Sequence, residues 1–248
     1  MIFRQSRTNA QEWLDQAFLS ADAIEANLSD LALINRRLGG VESVLAHVRP
    51  VLKSFSADRP CAVLDVACGA GDMLRAVAES AREQDRAVHA VGLDINPRVI
   101  DYARRGMTRC HRRPECDSAR SPIQWVLGDV RALPFRTGSF DLVICSCFLH
   151  HLAPESAAEF LHSAANLTRG TLIVSDLVRS GLGSAGFRAW ARLMRLHIVT
   201  RHDGAISLRR AYRPRELDEI AAAAGLRHRR IHRHRFCRMT LVSHPGVA

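Results

Sequence analysis

Lysine is nearly missing from this chain of 248 residues: of its 35 basic side chains only Lys53 is one. The formal charge of +10 would ordinarily point to nucleic acid or another polyanion. Almost exclusive use of arginine reads instead as a coding bias, so no nucleic-acid partner is expected. Also missing is any run near the roughly 18 apolar residues of a membrane span, and the opening MIFRQSRTNAQEW lacks the apolar stretch of a signal peptide. A soluble, cytoplasmic protein without a membrane span is the expectation, as a monomer or homodimer. The seven cysteines are odd in number and follow no regular framework, which argues against structural disulfides and for reduced thiols, several of them in the core. With 47% hydrophobic residues the chain can bury a full core, and its length suits one α/β domain with additions.

The rest is organised around CAVLDVACGAG, residues 61–71. Ala62, Val63, Leu64 and Val66 form a short apolar run, as in a strand buried on both faces of a parallel sheet. Met73, Leu74, Val77 and Ala78 then recur at helical spacing, so the glycine-rich turn joins a strand to a helix. Gly69 and Gly71 have no Cβ, which frees the backbone and lets a ligand lie against it. Strand, tight turn and helix N-terminus together make a nucleotide-type site. A dinucleotide fingerprint would place a small residue where this chain has Leu74. Asp65 in the strand end would repel a pyrophosphate and could hold a cationic ligand through its amino group. A cationic nucleoside is therefore expected.

VLDVACGAG at 63–71, VGLDIN at 91–96 and GDVRALPF at 128–135 together resemble the class I S-adenosylmethionine (SAM) dependent methyltransferases. The likeness is greatest to the small-molecule branch that includes the ubiquinone and menaquinone biosynthesis enzymes, and it covers roughly residues 60–178. It implies an α/β fold: a doubly wound, mostly parallel seven-stranded sheet, Rossmann-like, with an N-terminal helical lid. The implied organisation is a lid over 1–55, a SAM-binding core over 56–178, a helical insertion forming the acceptor pocket over 179–212, and a closing helix and hairpin over 213–248. It also implies SAM as cofactor, bound by Asp65, Ala67, Gly69, Gly71, Asp94, Ile95, Asp129, Val130 and Cys145. Asp94 would accept from both ribose hydroxyls, unless it merely caps the next helix, a task Asn96 and Pro97 can fill. Asp129 would accept from the adenine amino group while the Val130 amide reaches a ring nitrogen and Ile95 covers the ring, the alternative being a plain turn aspartate.

Along the chain, Leu14, Ala17, Phe18, Ala21, Ile24, Leu28 and Leu31 give one apolar stripe, which predicts a helix or two over 9–37, ended by Gly39 and Gly40. A second helix runs from about Val41 to Lys53, with Pro50 ending or bending it. These helices either pack on the sheet edge or close over the substrate. Strands are expected at 61–66, 88–93, 123–127, 140–145 and 172–177, alternating with helices. The charged stretch 108–121 reads as a surface loop, and its Cys110, His111 and Cys116 do not match a structural zinc spacing. Phe187, Trp190, Leu193, Met194, His197 and Ile198 recur at helical spacing, and His197, His202 and Asp203 are candidate polar members of the pocket. A helix begun by Pro214 and ended by Gly225 follows, then a hairpin whose RHRRIHRHRF run reads as a solvated edge.

Chemistry is expected at SCFLHHL, residues 146–152, just beyond the fourth strand. His150 and His151 are the candidate general bases, since imidazole accepts a hydroxyl proton near neutral pH. Neighbours on a helix start point about 100° apart, so one is expected to face substrate, His150, and the other to hold structure, His151. No acidic residue stands in this turn, and no metal site is read there. The expected activity is methyl transfer from SAM to a small aromatic or polyketide-like acceptor, at a hydroxyl. The competitors are carbon methylation of a quinone-like ring, RNA methylation, for which no asparagine-proline-proline-aromatic motif is present, and a non-catalytic SAM-binding module.

Overall fold

A computed structural model describes residues 6–14, 16, 19–56, 59–110 and 123–244. The short apolar runs form β1 (Cys61–Val66), β2 (Val88–Asp94), β3 (Ile123–Leu127), β4 (Phe140–Ser146) and β5 (Thr168–Leu177), and a C-terminal hairpin adds β6 (Arg229–His234) and β7 (Arg238–Ser243). The helices are α1 (Ala21–Arg37), α2 (Gly40–Ser54), α3 (Asp72–Glu83), α4 (Pro97–Cys110), α5 (Pro154–Leu167), α6 (Gly181–Leu193), α7 (Ile198–Arg210) and α8 (Pro214–Ala223). One seven-stranded sheet results, in the order β3-β2-β1-β4-β5-β7-β6. The first five strands pair in parallel, whereas β7 runs antiparallel to β5 and β6. The sheet is therefore mixed. A three-residue turn joins β6 to β7, and only antiparallel neighbours can be linked so tightly.

The chain winds outward from β1 through β2 to β3, then returns to lay β4 on the other side of β1. That reversal opens a crevice beyond the carboxyl ends of β1 and β4. The central strands β1 and β4 are largely apolar on both faces because both are covered. In β1, Cys61 and Val63 join the cluster beneath α2 and α3, with Val44, Val48 and Val77. Leu64 and Val66 join the opposite cluster beneath α5 and α8, with Leu161, Leu217 and Ile220. At the amino end of the sheet the buried Asp141 carboxylate accepts from both Arg59 nitrogens at 3.0 and 3.1 Å, from Arg169 Nε at 2.7 Å and from the Ala62 amide at 2.9 Å.

Several boundaries differ from the sequence reading. The stripe over 9–37 becomes helical only at Ala21, where Ser20 Oγ accepts from the Ala23 amide; Ala17 and Phe18 lie outside the described residues. Residues 6–14 instead form a non-helical strap. The Trp13 and Leu14 amides donate to the Asp203 carboxylate at 2.8 and 3.0 Å, and the Arg7 guanidinium donates to the carbonyls of Arg210, His150 and Leu152. Pro50 neither ends nor bends α2 out of its helix, because it lies in the last turns on an exposed face and forfeits one backbone bond. α2 buries Val44, Leu45, Val48 and Leu52 against the sheet, so it is a layer of the core. The expected loop at 108–121 starts as a continuation of α4 to Cys110; His111 and Cys116 lie outside the described residues. The apolar positions from Phe187 to Ile198 divide between two helices, with His197 capping the second through Nδ1.

α1, α6, α7 and the strap gather at the carboxyl end of the sheet. Ile24 and Leu28 of α1 pack with Ala70 of the glycine turn and Val99 of α4. Ile34 packs with Phe187, Ala191, Leu196 and Leu208. A Cβ on Gly204 would stand 2.4 Å from the Phe187 ring, so α7 can approach α6 this closely only at glycine. Leu64, 0% exposed at the centre of the sheet, tests the packing. Leu64→Ala is expected to cost about 2–5 kcal/mol in urea unfolding, and a loss within about 0.5 kcal/mol, the order seen for surface changes, would contradict the assignment.

Candidate active site

The chain leaves β1 through a left-handed Ala67, φ 58°, and then through Gly69 and Gly71, φ 53° and 73°. Gly71 precedes α3, and a Cβ there would lie 2.0 Å from the Trp125 ring, so both the angle and the packing require glycine. A Cβ on Gly69 would meet nothing within 4 Å. Its backbone is bare toward the crevice. Asp65, 1% exposed and next to last in β1, has an Oδ1 that makes no hydrogen bond among the described residues. Burial pushes its carboxyl well above the usual range, and the neighbouring Asp72 and Asp94 push it further. None of the described basic side chains is among the groups that act on it.

Asp94, at the end of β2, accepts from the Gly69 amide at 3.0 Å through Oδ2 and from the Asn96 amide at 3.0 Å through Oδ1. Burial raises its pKa, and those amides work against the rise. Capping of α4 falls to Asn96, whose Oδ1 accepts from the Arg98 amide. Ile95 is 61% exposed beside it. Asp129 follows β3 and is clasped by Arg131, whose Nη2 lies 2.6 Å away; this contact holds its pKa down. Val130 packs partly buried on the core. Cys145 is 1% exposed within that core, and burial, with Asp65 and Asp176 nearby, pushes its thiol up.

Beyond β4 a single 3-10 turn holds Leu149–His151. The two histidines differ in burial: the His150 side chain is 2% exposed and that of His151 21%. The reason is Asp176, at the end of adjacent β5, which accepts from the His150 amide at 2.9 Å and lies 2.7 Å from its Nδ1. On the other side His150 Nε2 stands 3.6 Å from Glu12 Oε1, and His151 Nε2 stands 3.8 Å from Glu12 Oε2. Burial opposes charge on His150, but Asp176 and then Glu12 outweigh it and lift the pKa to about 10. Glu12 and Asp176 are in turn held below the usual carboxylate range by that imidazole, against their own burial.

Of the residues singled out from the sequence, Asp65, Ala67, Gly69, Gly71 and Asp94 lie around one corner, and His150 and His151 lie one strand away. His197 serves as a helix cap. His202 stacks on Trp13 with ring centroids 3.8 Å apart, and its Nδ1 lies 2.7 Å from Asp203. The sequence reading missed Glu12 and the partnership of Asp176 with His150. Asp176 carried a signal, being a carboxylate at a strand's carboxyl end. Glu12 carried none, since its place depends on a strap anchored nearly two hundred residues away.

Residues 63–170 match the family model described as "Methyltransferase domain". No curated protein matches the sequence. Among solved structures, a SAM-dependent methyltransferase from Aquifex aeolicus superposes with a TM-score of 0.59 at 15% identity, over 89% of this chain and 97% of that one. Magnesium protoporphyrin IX methyltransferase from Synechocystis PCC 6803, with SAH bound, superposes with a TM-score of 0.56 at 18% identity, over 84% of each chain. A structure of the same Synechocystis protein with SAM bound matches with a TM-score of 0.56 at 15% identity, over 92% of this chain and 99% of that one. These likenesses establish the class I methyltransferase fold. Residues 63–170 thus match a methyltransferase domain, and the chain has the fold of SAM-dependent methyltransferases.

Two outcomes follow from the corner itself. The folded pKa of Asp65 lies above its unfolded one, so its contribution to stability is present at low pH and is lost as pH rises from about 4 through the folded value. Asp65→Asn is expected to raise the melting temperature of the ligand-free enzyme at neutral pH and to flatten that loss; an unchanged pH profile would contradict a buried, unpaired carboxylate. Gly69→Ala is expected to fold at a cost of about 1–2 kcal/mol yet lose SAM in calorimetry, whereas Gly71→Ala loses the fold as well. Normal SAM affinity in Gly69→Ala would show that the ligand does not lie on that backbone.

Proposed function

We propose that the enzyme methylates a hydroxyl of a small, flat, apolar acceptor, aromatic or polyketide-like, with the histidine cluster beyond β4 receiving the hydroxyl proton. The observation that carries this reading is adjacency. β1 and β4 are parallel neighbours in register, with Val66 opposite Cys145, which supports a shared site for the corner with its unpaired carboxylate and the His150–His151–Glu12 cluster.

In this reading the ammonium of the donor lies toward Asp65, along the bare backbone of Ala67, Gly69 and Gly71. The ribose hydroxyls donate to Asp94, whose oxygens keep lone pairs beyond the two amides they already accept from. Asp129 accepts from the adenine amine once Arg131 swings away; that arginine is 82% exposed, and solvent screens an exposed pair of this kind. Ile95 covers a ring face, the Val130 amide meets a ring nitrogen, and Cys145 lends only backbone. SAM supplies an electrophilic methyl; the protein's task is to hold the acceptor oxygen in line behind it. His150, fixed through Nδ1 by Asp176, is a positioning residue. His151, with its exposed edge, faces the acceptor.

Apolar walls support a flat acceptor. Phe148 lies parallel to His151 within 15°, and Trp13 covers His202. The Synechocystis protein of the same fold is named for a flat acceptor, magnesium protoporphyrin IX. The strap, α1, α6 and α7 form the cover over this side, as a lid and acceptor pocket.

His151→Ala is expected to lower kcat by about 10²–10⁴-fold while leaving SAM affinity unchanged. Full retained turnover would remove the histidine from the reaction. Labelled SAM incubated with phenolic extracts and total RNA is expected to give O-methyl products alone; label confined to ring carbon or to RNA would overturn the acceptor class.

A further inference from the structure

We propose that Glu12, His150 and His151 form a binding site for one divalent transition-metal ion of the zinc type, on the acceptor side of the crevice. The inference rests on the reading of this crevice as the place where a hydroxyl acceptor is bound.

The spacing is that of ligands sharing an ion rather than of partners in hydrogen bonds. The separations from Glu12, 3.6 Å to His150 Nε2 and 3.8 Å to His151 Nε2, are too long for hydrogen bonds. Two ligands that each sit about 2.0–2.2 Å from zinc stand roughly that far apart, and the three ligand atoms all lie within 4.8 Å of one another. His150 Nε2 is buried, aimed into the cluster, and makes no hydrogen bond among the described residues. A buried ring nitrogen left so is costly unless something occupies the space in front of it.

The surroundings are those of a built site. Asp176 Oδ1, 2.7 Å from His150 Nδ1, sets the tautomer that turns Nε2 inward. A carboxylate behind a ligating histidine raises the basicity of that ligand and fixes its ring. Ser207 Oγ donates to Glu12 Oε1 at 2.8 Å, and Phe148 stacks on His151. The strap that delivers Glu12 is itself pinned by Asp203. Two imidazoles and one carboxylate select zinc, iron or manganese over magnesium or calcium, and three protein ligands leave a position for water or substrate. An ion there would bind the acceptor hydroxyl oxygen and ease loss of its proton to water, the histidines then acting as ligands in place of a base. The oxygen lone pair then forms the new C–O bond to the methyl carbon as the S–CH3 bond breaks and its electron pair returns to sulfur.

The test is calorimetric titration of zinc into the full chain after chelator dialysis, with magnesium as control and cobalt as a spectroscopic substitute. One zinc per chain is expected, with no magnesium binding and with visible cobalt bands. Glu12→Gln and His151→Asn, on separate elements, are each expected to weaken zinc at least tenfold, so that a folding defect in one does not decide the matter. Absent zinc binding overturns the site, and so does binding that neither variant moves, which would belong to the other histidine group, His47, His232 and His234. Hydroxyl methylation that persists without any zinc binding sinks the metal alone. Zinc binding by an enzyme that methylates no hydroxyl leaves the site standing and sinks the acceptor reading.

Discussion

Negative charge buried at the carboxyl end of the sheet, and the need to meet it with positive charge, is the constraint from which the rest of this enzyme follows. The protein shows what it does when such a charge is purely structural. At the opposite end of the sheet Asp141 is clasped by Arg59 and Arg169 and by a backbone amide. At the crevice end the treatment differs. Asp176 receives an imidazole, whereas Asp65 receives no cation from the described residues and has Asp72 and Asp94 for neighbours. In the function proposed above, a cationic ligand meets this carboxylate, and SAM carries both a sulfonium and an ammonium.

The cover over the crevice is assembled by the same logic applied to backbone. The strap has no helix of its own, so its amides need acceptors; Asp203 of α7 supplies two, and Arg7 crosses to two carbonyls at the 3-10 turn and one at the end of α7. Asp30 of α1 accepts from the His197 amide and from Thr200 Oγ1, tying α1 to α7. These polar ties add to the small apolar clusters that these elements share.

Local signals carried most of the fold. The strands of the parallel half were legible because apolar runs buried on both faces differ in length and flanks from helices, and the turn after β1 because two glycines interrupt two periodic patterns. What failed was also local in origin. The apolar stripe before Ala21 looks helical on spacing alone, but Ser20 caps the helix and the preceding residues find acceptors on α7. Pro50 reads as a helix end only when its place in the last exposed turns is unknown. The site divided in the same way. Asp65 and Asp94 stood out as carboxylates at strand ends, whereas the roles of His150 and His151 depend on Asp176 and Glu12, partners brought in by sheet order and by a strap that no pattern near the histidines announces.

The claim that Asp65 and its neighbours wait for a cation can be measured without altering the protein. Calorimetry with S-adenosylhomocysteine and with its analogue lacking only the α-amino group isolates the ammonium. If that group meets the unpaired carboxylate, its removal weakens binding by about tenfold or more, the worth of one charge-assisted bond. Equal affinities for the two ligands would contradict the account.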